Sequence, residues 1–188
     1  MVRIFSLLAR SWVFAVSVAV LAVFMATVLP AKAADANAYT PAGASFDTSF
    51  FYTPAQAIGK VAQYSPEGRA AYVYDRWTFD LAWPLVYGFF LFSGWAFGLS
   101  RLLPAGGTGR SWWLLVPALA VFFDFVENTA VTVLMLAYPA APQVAAFVAS
   151  AGTVIKWAFV LVGMSGAVGL PLAGGMAVIL RRRGSGRA

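Results

Sequence analysis

The chain has 188 residues, of which 61% are apolar or aromatic and only 11% charged. A soluble domain carries roughly 25% charged residues, so a water-soluble enzyme is excluded, and so is a disordered chain, whose composition is the reverse. The sequence has no His and no Cys, which removes the usual metal and haem ligands, thiol chemistry and any Ser–His or Cys–His pair.

Four apolar stretches come close to or exceed the roughly 20 residues that a membrane-spanning helix needs. They cover about 12–29, 81–99, 112–137 and 147–170, the last with an extension to 180. The expected fold is an all-α integral membrane protein. It is a bundle of four transmembrane helices in one membrane domain, 1–188, with a long helical external segment over 30–80.

Taken in chain order, the first stretch follows Arg3 and Arg10 and ends before Ala31-Lys32-Ala33. That pattern fits a retained span. It also fits a cleavable signal peptide over residues 1–33. Residues 31–52 are rich in Ala, Thr, Ser, Pro and Gly and read as irregular. Thr53-Pro54-Ala55-Gln56 has the form of a capping box with Pro at the first helical position. It predicts a short helix to about Tyr64, with Ile58, Val61 and Ala62 on a face suited to the membrane surface.

Ser65-Pro66-Glu67 is a second start of the same kind. It predicts one continuous helix from Pro66 through Asp80 into the second span. Arg69, Asp75, Arg76 and Asp80 fall on its outer turns, with Arg76 and Asp80 spaced to pair. These turns read either as a solvated approach to the membrane or as a polar lid over a site between helices. Pro84 removes the helical partner of the Asp80 carbonyl and predicts a kink. Gly94 and Gly98 have the spacing that admits a close helix neighbour. Pro171, Gly174 and Gly175 predict a second kink near the end of the last span.

Basic residues set the orientation. Arg3 and Arg10, the Arg101–Arg110 loop, and the tail with Arg181, Arg182, Arg183 and Arg187 fall on one side if both termini are cytoplasmic. Residues 30–80 are then external to the cell membrane. The formal charge of +6 is explained by these flanks, so nucleic acid is not an expected partner. Arg181–Arg183 adds some attraction to anionic lipids. Trp12, Trp77, Trp83, Trp112 and Trp113 lie near span ends, as interfacial anchors do.

The third span carries Asp124, Glu127 and Asn128 on one helical face, and Thr132 extends the stripe. A carboxylate at the centre of a membrane helix costs roughly 2.5–3.5 kcal/mol on insertion scales, so it faces protein or water and takes a partner or a proton. Lys156 is the one basic residue inside the fourth span. Glu127 lies 11 residues before Tyr138 and Lys156 lies 13 after Gln143. At 1.5 Å per residue the two sit within about 3 Å in depth on an antiparallel hairpin. Asp124 is level with them too. Two acids against one Lys leave a negative charge over. A protonated carboxyl, Arg69 or Arg76 from outside, or a proton, Na⁺ or cationic ligand would balance it. Asp80 and Thr132 are supporting residues, and Tyr87 and Trp157 are expected walls.

The polar group reads either as a clamp that fixes helix packing or as a site for a ligand, ion or proton. The leading expectation is a non-catalytic membrane protein that binds a small or lipidic ligand there, or a subunit of a complex or homo-oligomer. A carrier using Asp124 and Glu127 as a protonatable pair is the second expectation. The third is acid–base chemistry on a lipid-soluble substrate. No cofactor or metal is implied: Asp124-x-x-Glu127 is half a carboxylate metal site, with Lys156 competing for its oxygens. Gly163-Met164-Ser165-Gly166 has the outline of an intramembrane serine-protease motif but no base to serve it. Gly106-Gly107-Thr108-Gly109 follows no strand, which makes a phosphate loop a poor reading.

Overall fold

The fold follows from a computed structural model that describes residues 2–103 and 108–185. Gly106, Gly107 and Arg187 lie outside the described residues. Among those described there is no strand. The helices are α1 (Val2–Leu8), α2 (Ser11–Val23), α3 (Leu29–Tyr39), α4 (Pro54–Gln63), α5 (Pro66–Arg76), α6 (Phe79–Leu102), α7 (Leu115–Ala137) and α8 (Gln143–Ser185). A π-helical turn, Phe24–Val28, joins α2 to α3, and a 3₁₀ turn, Thr108–Leu114, precedes α7. Four helical stretches are long and apolar enough to cross a membrane: Ser11–Tyr39, Pro66–Leu102, Ser111–Ala137 and Gln143–Arg183. They suggest a membrane protein.

Several elements differ from the sequence reading. Residues 31–39, read as irregular, continue the first helix through Tyr39. Five alanines between Ala31 and Ala38 favour helix strongly enough to carry it. Pro30 withdraws the N–H that the Ala26 carbonyl would accept, and the wider π turn falls just there. The helix expected to run unbroken from Pro66 into the second span is interrupted at Trp77 and Thr78. At the other end, α8 runs 43 residues as one helix with Pro171 inside it, which agrees with the expected extension beyond residue 170.

The chain divides into two compact units. One comprises Met1–Ala22, Val86–Leu119 and Phe159–Ala188. Its helices meet through small residues. A Cβ on Gly94 would lie 2.6 Å from the Ala167 carbonyl oxygen, and one on Gly98 would lie 2.7 Å from the Pro171 nitrogen. Gly166 lies against the Trp95 indole, whose Nε1 donates to the Gly163 carbonyl at 2.8 Å. The glycines of the protease-like motif are therefore packing surfaces. Ser165 donates to the Leu161 carbonyl of its own helix. From α2, Ser17 and Ser93 share a buried 2.6 Å hydrogen bond, and Phe14 stacks on Phe97 at 4.8 Å.

The second unit comprises Val23–Leu85 and Ala120–Ala158. Its core joins the loop before α4 and helices α4, α5, α7 and α8 through Phe46, Tyr52, Ala57, Val61, Tyr64, Tyr72, Val131, Leu134 and Ala149. Thr53 and Gln56 form the capping box at the start of α4. Of the face expected to lie on the membrane, Val61 is buried in this core and Ile58 packs against it, while Ala62 is exposed. The three rings Phe46, Tyr52 and Tyr72 meet edge to face.

Gly94→Val should destabilise the first unit by about 1–3 kcal/mol, because the Ala167 backbone cannot yield to the added methyls. Gly169→Ala, where a Cβ meets nothing within 4 Å, should be close to neutral. Unfolding in graded detergent mixtures, followed by tryptophan fluorescence, separates the two.

Candidate functional site

The second unit contains a cluster of charged groups. Lys156 Nζ forms a salt bridge with Glu127 Oε2 and lies 3.8 Å from Asp124 Oδ1. The close approach of α7 and α8 makes this reach short: a Cβ on Gly152 would lie 3.5 Å from the Glu127 nitrogen. Ala149, Thr153 and Lys156 present one face of α8 at helical spacing. Thr153 Oγ1 is in hydrogen-bond contact with Glu127 Oε1, and Tyr52 donates to the same oxygen at 3.2 Å. Glu127 is 2% exposed.

Arg76 is the second hub. It comes from the last turn of α5 and is 6% exposed. Its Nη2 lies 2.5 Å from Asp47 Oδ2, and its Nη1 contacts Asp80 Oδ2 at 2.5 Å and Asn128 Oδ1 at 3.2 Å. The guanidinium also lies over the Tyr72 ring at 4.2 Å. The rigid planar fork of the guanidinium lets it serve three partners at fixed angles. Arg76 donates only, so its bond to Asn128 fixes the amide: the oxygen faces the guanidinium and Nδ2 points elsewhere.

Loop 40–53 covers both hubs. Asp47 reaches Arg76, Tyr52 reaches Glu127, and the Ser49 carbonyl accepts from Trp157 Nε1 at 3.1 Å. Phe50 packs on the Trp157 ring at 4.4 Å. Lys60 holds the loop to α4 by donating to the carbonyls of Gly43 and Ser45 and to Ser49 Oγ. Partial burial works against ionisation of Asp47. The adjacent Arg76 charge and hydrogen bond outweigh it and hold that carboxyl below the usual carboxylate range. Burial, and then the charge of Glu127, push the Tyr52 phenol up, so it stays a neutral donor.

Two donors in the cluster are buried and find no acceptor among the described residues: Arg76 Nε and Asn128 Nδ2. Counted formally, Asp47, Asp80, Asp124 and Glu127 face Arg76 and Lys156, four negative charges against two positive. No group of three carboxylates among the described residues is arranged to hold a metal ion.

Of the sequence candidates, Asp124, Glu127, Asn128, Lys156, Asp80 and Arg76 share this cluster. Arg69 does not. Its guanidinium donates to the Tyr64 carbonyl at 2.5 Å and covers the Tyr138 ring, because it leaves α5 two turns before Arg76. Thr132 is buried, but its hydroxyl bonds to the Asn128 carbonyl in its own helix. Trp157 is a wall, with Lys156 Nζ 5.5 Å from its ring centroid. Tyr87 is buried within the other unit. The sequence reading missed Asp47, Tyr52 and Thr153. Thr153 lies one turn before Lys156 and was findable by spacing. The other two sit in or beside an irregular segment, where no periodicity points.

Two cavities lie in the same unit. One of about 400 Å³ is lined by Lys60, Gln56, Gln63, Tyr52 and neighbours. An apolar groove of about 590 Å³ runs between α7 and α8, lined by Phe122, Phe125, Val126, Val133, Val144 and others. No protein-family model matches this chain, and no curated protein or solved structure matches it significantly.

The depressed carboxyl of Asp47 makes the loop anchor acid-sensitive. Its contribution is fully present above about pH 4, the ordinary Asp value, and is lost as pH falls through the lower value of the folded state. Hydrogen exchange of residues 44–52, corrected for intrinsic rates, should therefore lose protection only below about pH 4. In Asp47→Asn the protection should already be reduced at pH 7, with no acid step of its own.

Proposed function

We propose that this chain is a multi-pass membrane protein of four spanning helices, both termini cytoplasmic, that binds a small or lipid-borne ligand at the charged cluster without transforming it. The observation that carries this reading is the pair of buried donors, Arg76 Nε and Asn128 Nδ2, left without acceptors inside a cluster whose two cations are already engaged by carboxylates. An unmet buried donor costs about 1–3 kcal/mol. A clamp that served packing alone would gain nothing from leaving two. A buried ionisable group within a membrane-spanning helix is also a functional-site hypothesis by default. Loop 40–53 supplies a cover whose ties, Asp47, Ser49 and Tyr52, are hydrogen bonds and ion pairs that can exchange.

A carrier of protons or cations is the second reading, favoured by the excess of carboxylates over basic groups. Glu127 has both oxygens engaged, by Lys156 on one side and by Tyr52 and Thr153 on the other. That weighs against its use as a freely exchanging proton donor, and so against the catalytic reading as well.

The test is native mass spectrometry of the full chain released from nanodiscs made with host membrane lipid. The unmodified chain should carry a defined non-protein mass that Asn128→Leu loses, while far-ultraviolet circular dichroism shows both folded. Equal adduct spectra for the two folded proteins would contradict the reading. Proton uptake into proteoliposomes that depends on Asp124 and Glu127 would favour the carrier instead.

A further inference from the structure

We infer that the ligand is electrically neutral and presents a hydroxyl or carbonyl oxygen to Asn128 and Arg76. The inference rests on the binding-site reading above and narrows it to a chemical class.

Charge excludes an anion. Asp47, Asp80, Asp124 and Glu127 surround the two cations, and both cations are committed. Arg76 is engaged by Asp47, Asp80 and Asn128, and Lys156 by Asp124 and Glu127. A phosphate, sulfate or carboxylate would have to displace a carboxylate already in place, in surroundings of net negative charge. Displacing one member of a buried ion pair leaves the other charge uncompensated, which is costly.

Hydrogen-bond polarity excludes an organic ammonium. The groups in need of partners are both donors: the guanidinium Nε–H and the amide Nδ2–H₂. An ammonium offers only donors, so it would leave them unmet and add its own. The amide cannot turn over to help, because its oxygen is held at 3.2 Å by Arg76 Nη1.

A neutral oxygen meets both conditions. Its lone pairs can accept from Asn128 Nδ2 or from Arg76 Nε, the two buried donors left without acceptors. Where it is a hydroxyl, its own proton can go to a carboxylate of the same set, such as Asp80. Asn128 is 4% exposed, and a site built to hydrogen-bond an oxygen at such burial discriminates strongly against analogues without one. The oxygen could arrive on a lipid from the bilayer or on a small alcohol from water, and chain length tells these apart.

The experiment uses the full chain in nanodiscs at pH 7. Thermal unfolding is followed by tryptophan fluorescence, with 1-decanol, 2-decanone, decylammonium, decanesulfonate and decane as probes of one tail length. Saturable stabilisation by decanol or decanone is expected, with decylammonium and decanesulfonate at least about tenfold weaker in apparent affinity. Decane, which has no oxygen, sets the baseline. 1-Butanol in place of decanol distinguishes a water-borne from a membrane-borne source. Asn128→Leu should cost the decanol response about tenfold, the loss of one buried hydrogen bond. Asn128→Asp, which keeps the shape and replaces the donor, should turn the preference toward decylammonium. If decylammonium stabilises the unmodified chain more than decanol, the ligand class is wrong and the binding site stands. If no probe exceeds decane, the donors are met by water and the binding-site reading falls too.

Discussion

The ion pair between Lys156 and Glu127 is the constraint around which the second unit is arranged. A Lys and a Glu placed in the middle of apolar helices are each several kcal/mol too costly to leave alone. They are tolerable only face to face, and this fixes the rotation of α7 and α8 relative to each other. At Gly152 the two helices are close enough that a Cβ would lie 3.5 Å from the Glu127 nitrogen, and the reach is short. Once Glu127 is turned inward, Asp124, three residues before, shares its side, and Asn128, four residues after Asp124, lies beside that acid. That placement brings Asn128 to Arg76 and Asp124 to Lys156. The remaining oxygen of Glu127 then sets where Tyr52 and Thr153 go.

Arg76 carries the same logic outward. It ties the end of α5, the first turn of α6, the middle of α7 and the irregular loop together at one guanidinium. The helix break at Trp77 and Thr78 lies between Arg76 and Asp80, yet their pairing at four residues' separation survives it. The loop itself has little regular structure. Its position depends on side chains: Lys60 gathers its carbonyls, and Asp47, Phe50 and Tyr52 reach the cluster. The polar groups of α7 and α8 are thereby covered on the side of the loop by residues from a segment with almost no helical propensity.

Much of this was legible in the sequence, for physical reasons. Helical period and hydropathy place Asp124, Glu127 and Asn128 on one stripe, and hairpin depth alone brings Lys156 level with them. Capping signals at Thr53 and Ser65 are local and mark the starts of α4 and α5 accurately. Other features depended on tertiary context. The helix over 31–39 was hidden because Pro30 and a run of small residues resemble both a helix and a cleavage region. The inward face of Val61 looked like a membrane-surface face because an amphipathic pattern does not say what it packs against. Asp47 and Tyr52 were invisible because an irregular loop has no period from which direction can be read. Arg69 and Arg76 were indistinguishable by charge, and only the turn geometry of α5 selects Arg76.

A double-mutant cycle on Glu127→Gln and Lys156→Met tests most directly whether this pair is the organising constraint. Stability is to be measured by unfolding in mixed detergent micelles. Each single change should cost about 3–5 kcal/mol by leaving a buried partner uncompensated. The double variant should regain most of that loss, giving a coupling energy well above 1 kcal/mol. Losses that simply add, with a coupling near zero, would show that the two groups do not depend on each other and would contradict the account.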